Sequence, residues 1–375
     1  MTAQFSRLGA VIFVCRNKSM KVKLGDVCER GTSNLRQSDV VGKGGDYPIY
    51  GASGYIGDVD FYHQEKSYVA IVKDGAGIGR TMLCPEKSSV IGTMQYLLPK
   101  DAILPQYLYY VVKYMHLEKY FSGATIPHIY FKDYKNEQFN LDTLKKQAII
   151  VKILGKCEEV IAARNKQLNA LDELIQARFV ELFGNESNPK AWEIVNVESV
   201  ADVQVGVVIK PSQYYTDAID GIKAFRSLNV GEGFIKDENW VYFTKEGHKK
   251  NAKSVLKEND LLIVRSGAPG TACVVTKEYE GCNAIDIIIA HPNCEKVNPY
   301  YLCAYTNMPH GKKQINEGTG GAAQQHFNVT KYNKLQLMLP PMKLQDEFVT
   351  FVNQVNKSKL VIKNLLQIYK HQIQM

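Results

Sequence analysis

Residues 73–81 read Lys-Asp-Gly-Ala-Gly-Ile-Gly-Arg-Thr and follow directly on the apolar run Tyr68-Val69-Ala70-Ile71-Val72. Three glycines on alternate positions behind a strand-like run have the composition of a phosphate-cradling loop. Such a loop must open a helix, because the free N–H groups of the helix N-terminus hold the phosphate. Here Met82-Leu83-Cys84-Pro85 follow, and Arg80-Thr81 stand where lysine and a hydroxyl residue would be required. A second stretch, "LLIVRSGAPGTACVV" at 261–275, repeats strand, basic residue, Gly-Ala, turn and strand. In it Pro269 displaces the second glycine, which would ruin a phosphate nest but suits a tight turn. The loop is therefore expected to be a strand–turn–strand element present twice.

The other candidates for chemistry fare no better. His128 and His326 occupy the same register of a repeated segment, which fits a structural part of a module better than an acid/base pair. "VNPYY" (297–301) lacks one proline of the Asn-Pro-Pro-Tyr loop of adenine methyltransferases, and its counterpart Leu104-Pro105-Gln106 lacks the asparagine. No G-x-S-x-G, H-E-x-x-H, C-x-x-C or Walker pattern occurs. The eight cysteines show no metal-ligand spacing, so reduced and mostly buried thiols in a cytosolic protein are expected. No active site is expected, and no metal.

The elements that would position these residues come in two copies. "GATIPHIYFKDYKNEQFNL" (123–141) and "GAAQQHFNVTKYNKLQLML" (321–339) agree at six of nineteen positions without a gap, where chance would give about one. The register continues to Gln147 and Gln345. Upstream, Pro105 and Tyr107 stand against Pro299 and Tyr301, and "VKLGDVCERG" (22–31) resembles "IVNVESVADV" (194–203). The first part of each copy carries short β-rich runs, among them "YVAIV", "TMQYLL", "DLLIV", "ACVVT" and "AIDIIIA".

The second part of each copy is helical. No proline occurs from Thr143 to Phe183, and Gly184 follows where a C-terminal cap belongs. Leu154, Ile161, Leu168, Ile175 and Leu182 recur at intervals of seven, as do Phe348, Val355, Ile362 and Tyr369. A sustained heptad asks for a helical partner, and a helix of about 40 residues spans about 60 Å, longer than such a domain is wide. The two tails are expected to pair as an antiparallel coiled coil, leaving Ile153, Val160 and Leu174 for other chains. The fold class expected is α+β: two similar β-rich α/β globules separated by two long helices. The expected boundaries are an N-terminal extension at 1–20, poorly ordered and ahead of an alternative start at Met20, a first globule at 21–142, a spacer helix at 143–184, a second globule at 192–340 and a second helix at 341–375.

The chain has 375 residues, net charge +8 and 22 tyrosines, a mild basic bias with ample flat contact area. No run approaches the ~20 apolar residues of a membrane helix, and a cytoplasmic location is expected. Two divergent globules held apart by a spacer can read two features of one long ligand, and duplex DNA fits that description. Candidate contacts in the first globule are Lys43, Ser53, Lys73, Arg80, Lys132 and Lys135. In the second they are Arg226, Lys249, Lys250, Lys253, Arg265, Lys312, Lys313, Gln324 and Gln325. Lysines would meet phosphates, and Arg, Gln and Ser on loops would meet base edges. A protein-binding scaffold and an enzyme accessory with a degraded site are the rival readings.

The repeated globule plus long helix, with "GDYPIYGASGYIGDVDFY…YVAIVKDGAGIGR" in one half and "GIKAFRSLNVGEGFIKDENW…LKENDLLIVRSGAPG" in the other, resembles the DNA-specificity subunit of type I restriction-modification systems. "LQLMLPPMKLQDEFVTFV" (335–352) is similar to that family's junction, with Pro340, Pro341 and Gln345 in place, whereas Asp142-Thr143 replace the prolines in the first half. Lys146 and Leu344 stand where an acidic residue often precedes the glutamine. The resemblance implies a non-enzymatic reader of double-stranded DNA. Each target-recognition domain would bind half of a split sequence, and the helices would set the gap and dock adenine methyltransferase subunits. Translocase/nuclease subunits would join them, and S-adenosylmethionine, ATP and Mg2+ would belong to those partners.

Overall fold

The computed structural model describes residues 20–40, 42–123, 127–185, 187–319 and 327–374. The chain divides into two compact units, Met1–Ile161 and Ala162–Gln374.

In the first unit the described strands are β1 (Met20–Lys23), β2 (Cys28–Thr32), β3 (Tyr47–Gly51), β4 (Gly54–Val59), β5 (Tyr68–Val72), β6 (Thr81–Cys84), β7 (Ser89–Val90), β8 (Met94–Pro99) and β9 (Gln138–Leu141). Helix α1 is Pro105–Tyr114, and the long helix α2, Leu144–Phe183, begins in this unit. Met20, placed with the extension from sequence, pairs with Leu141 across the antiparallel β1–β9 ladder. The main sheet runs β2-β8-β5-β6, antiparallel throughout. A small sheet runs β4-β3-β7, in which β3 and β7 are parallel.

Every residue of β5 is buried. Val69 and Ile71 face one core, with Tyr107, Leu108 and Val112 of α1; Tyr68, Ala70 and Val72 face another, with Ile49, Val59 and Tyr96. Side chains alternate across a strand, so a strand covered on both faces reads as one unbroken apolar run.

The second unit repeats this plan with β10 (Glu193–Asn196), β11 (Ala201–Val205), β12 (Tyr215–Thr216), β13 (Ile222–Phe225), β14 (Val241–Phe243), β15 (Leu261–Val264), β16 (Ala272–Val274), β17 (Asn283–Ala284), β18 (Ile287–Pro292) and β19 (Gln336–Leu339). Its described helices include α3 (Pro299–Asn307), α4 (Pro309–Thr319) and α5 (Met342–Gln374). The main sheet is β11-β18-β15-β16, the small one β12-β14-β13-β17 with β13 parallel to β17, and β10 pairs with β19. β15 repeats the double burial of β5: Leu261 and Ile263 face one core, Leu262 and Val264 the other. The run "AIDIIIA", expected as one strand, is two strands in two sheets. Asp286 breaks it with φ 49°, sending Asn283–Ala284 to the small sheet and Ile287–Pro292 to the large one.

Helix α2 ends at Gly184, whose φ of 89° accompanies a bond from its N–H to the Val180 carbonyl, the geometry a C-terminal glycine permits. Within the second unit α2 and α5 run antiparallel. Arg178 pairs with Glu347 and Asp172 with Lys359, so residue numbers fall along one helix as they rise along the other. Phe348, Val355 and Ile362 are buried at their spacing of seven. Leu168, Ile175, Leu182 and Tyr369, and Leu154 and Ile161 on the α2 segment of the first unit, are half-buried. The deepest apolar side chains of α2 are Phe179 and Phe183, outside the heptad read from sequence. They lie against Phe348 and Tyr301 with ring centroids 4.9–6.1 Å apart. The end of α2 is thus embedded in the core of the second unit.

Candidate nucleic-acid interface

The glycine loop is the connection of the β5–β6 hairpin. Its N–H groups are used within the chain: Gly75 donates to Pro127, Ile78 to Gly75, Gly79 to Val72 and Arg80 to Gly77. No helix follows to supply the N-terminal N–H groups that a phosphate cradle uses, and these four donors are already engaged. In the second unit the β15–β16 connection closes the same way, with Gly270 donating to Val264 and Val264 to Thr271.

The basic residue opening each loop is tied to the segment that returns beside it. The Lys73 carbonyl accepts from Ile129 N–H, and the Arg265 carbonyl from Phe327 N–H. Lys73 Nζ lies 2.9 Å from Asp74, and Asp74 Oδ1 lies 2.7 Å from His128 Nδ1. Burial works to raise the Asp74 carboxyl, but the bonds from His128 and Lys73 outweigh it and hold it below its usual value. Arg265 pairs with Asp286 and reaches the Phe327 carbonyl. Both cations, expected as DNA contacts, are engaged in holding the module together. His326, Gln324 and Gln325 lie outside the described residues.

Arg80 has a different position. Its Nη1 donates to the Ala52 carbonyl at 2.9 Å, bringing it to the two-residue tip, Ala52–Ser53, of the β3–β4 hairpin. Ser53 is exposed there, and Gly54 supplies the left-handed residue of the turn with φ 116°. Lys43 is exposed in the segment leading into β3. Lys132 and Lys135 are exposed at a separate one-turn helix, Phe131–Tyr134, with the Lys132 ammonium 5.4 Å from the Tyr130 ring.

In the second unit Arg226 donates to the Asn239 carbonyl across the long β13–β14 connection. Lys249 and Lys250 stand exposed on the short helix Lys245–Lys250, which Thr244 caps, and Lys250 is 3.2 Å from Glu246. Lys253 follows, exposed. Lys312 and Lys313 are on α4, and Lys312 pairs with Glu232 of the β13–β14 connection.

Two arrangements carried no sequence signal. Lys223 Nζ stands 4.8 Å from the Trp240 ring and 5.2 Å from the Tyr279 ring, with Asp237 at 3.0 Å. His291 Nδ1 meets the buried Asp260 at 2.6 Å. In both, residues far apart in the chain meet only through sheet pairing. Burial pushes the thiols of Cys28, Cys84 and Cys273 up to about 12, which leaves them protonated and unreactive. Among the described residues no group of three or more His, Cys, Asp and Glu stands as a metal site, and no helix is long and apolar enough to cross a membrane.

A family model described as the type I restriction modification DNA specificity domain matches residues 17–173 and again 189–368. Over 211 residues the chain is 28% identical to the type I restriction enzyme MjaVIII specificity subunit of Methanocaldococcus jannaschii, covering 52% of this chain and 49% of that one. Over 295 residues it is 19% identical to the MjaIX specificity subunit of the same organism, covering 72% and 66%. The chain thus spans about half the length of the first relative and about two-thirds of the second. Among solved structures, the S subunit of a type I restriction-modification system from M. genitalium superposes with a TM-score of 0.61 at 14% identity, covering 96% of both chains. A structure from work on complex assembly and conformational transition of the type I system gives 0.56 at 15% identity, again over 96% of both. Both show a shared fold.

Proposed function

Because the chain belongs to the type I restriction-modification DNA specificity family, we propose that it is the non-catalytic sequence reader of a restriction-modification complex. Each unit binds one half of a split double-stranded DNA target, and the paired helices set the gap between halves. The helices also dock adenine methyltransferase subunits, with translocase/nuclease subunits joining that assembly. S-adenosylmethionine, ATP and Mg2+ belong to those partners, and the complex works in the cytoplasm. On this reading the first globule takes 21–142, the second 192–340, and the helices 143–184 and 341–375.

The observation that carries this reading is that the family match falls twice, once on each copy of one strand order. Two copies of one scaffold with different loops suit two different sequences read at a fixed separation. Base edges in the major groove distinguish all four pairs, and the basic loop residues would supply the phosphate contacts that set register.

Methylation mapping in cells carrying the chain and its partner methyltransferase tests the proposal. Modified adenines are expected in one bipartite sequence, and exchanging residues 21–142 for those of another reader should alter one half only. Adenine modification without a bipartite consensus, or an exchange that changes both halves, would overturn it.

A further inference from the structure

The two units share the strand order of their main sheets, and among their connections the one after β3 and β13, the strands that each pair in parallel with a later one, differs most in length. In the first unit it is the two residues Ala52 and Ser53; in the second it extends from Arg226 to Trp240. Two readers built on one frame must differ where they read, and here the frame stays while length and chemistry change. We propose that the Ala52–Ser53 tip is the base-discriminating element of the first unit, with Ser53 the specificity-determining hydroxyl and Arg80 its positioning residue. This rests on the DNA-reading function above.

The local construction suits that task. Discrimination at a base edge needs a donor or acceptor held within about half an ångström. A two-residue turn leaves the chain little freedom, and the Arg80–Ala52 bond fixes the carbonyl beside Ser53. The guanidinium is itself seated. It lies over Gly77, where a Cβ would stand 3.3 Å from Cζ and 3.4 Å from a terminal nitrogen. The glycine loop, which opens a strand and not a helix, thus acquires a use: Gly77 makes room for the arginine that braces the tip. Arg80 remains exposed and places a positive charge beside Ser53, where a DNA phosphate flanking the contacted base would lie.

The test uses the full chain assembled with its methyltransferase subunits, a pool of random-sequence duplex DNA and sequencing of the bound fraction. Ser53→Ala should relax preference at one position of one half-target by about tenfold. Arg80→Ala should relax that half more broadly. Gly77→Ala, whose Cβ would crowd the guanidinium by a few tenths of an ångström while keeping its charge, should act in the same direction as Arg80→Ala but more weakly. The half read by the second unit should stay unaltered in all three, which also reports that each variant is folded and assembled. If the wild-type chain selects a bipartite sequence and the three variants select the same one, the tip is not the reader and this proposal alone falls. If the wild-type chain selects no bipartite sequence, the DNA-reading function falls and takes this proposal with it.

Discussion

Gln147 Oε1 accepts a hydrogen bond from the Leu104 N–H at 2.8 Å, and Gln345 Oε1 accepts from the Asn298 N–H at the same distance. Each glutamine also donates at 2.8 Å to the carbonyl five residues before it, Asp142 or Pro340. Each is fully buried in the first turns of its long helix. One side chain thereby ties the start of the long helix to the segment entering α1 or α3, once in each unit. Replacing either glutamine by alanine strands a buried N–H and carbonyl, at a cost of about 1–3 kcal/mol each. The midpoint of denaturant unfolding should fall, with Gln147→Ala acting on the first unit and Gln345→Ala on the second. Unchanged midpoints would mean that water satisfies these groups equally well.

The aromatic cluster at the end of α2 makes a second prediction. Phe179 and Phe348 are buried with ring centroids 5.4 Å apart. Phe179→Ala and Phe348→Ala should each destabilise the second unit by about 3–5 kcal/mol. The half-buried Leu168→Ala should cost markedly less, although the heptad pattern alone ranks it equal to Ile175 and Leu182. Unfolding followed by circular dichroism separates the two outcomes.

A pH dependence follows from Asp74. Its carboxyl is held below the usual value, with the His128 and Lys73 bonds outweighing burial. A lowered carboxylate contributes stability that is present above its unfolded value of about 4 and lost as pH falls through the folded one. Asp74→Asn should therefore destabilise the first unit at neutral pH by about 1–2 kcal/mol. The gap to wild type should begin to narrow below about pH 4 and close as pH falls through the lower folded value. A gap that did not narrow at all as pH fell below about 4 would show that the loss is steric.

Glycines of the first loop should differ sharply in tolerance. Gly75 has φ 93° with open space where a Cβ would stand, whereas at Gly79, φ 81°, the Cβ would stand 2.7 Å from the Glu118 nitrogen. Gly75→Ala should cost about 1–2 kcal/mol through left-handed strain alone. Gly79→Ala should cost about 1–3 kcal/mol more, because backbone must move. Thermal unfolding of the two variants gives the ranking, and equal losses would contradict it.

The amino-acid sequence by itself determined the duplication, the strand–turn–strand nature of the glycine loops and the two long helices. These follow from local rules: continuous apolar runs for strands buried on both faces, proline-free heptads, and turn residues incompatible with a phosphate nest. It also singled out Gln147 and Gln345 by register, without showing what they bind. Only the tertiary structure decided that Arg265 is occupied by Asp286, that Phe179 and Phe183 go deeper than the heptad leucines, and that Arg80 reaches Ala52. A heptad specifies which residues share a helix face, but burial depth depends on what the other unit elements press against it. A cation's partner likewise depends on which strands pair, because sheet pairing brings Asp286 to Arg265 and the β3–β4 tip to Arg80 from distant points of the chain.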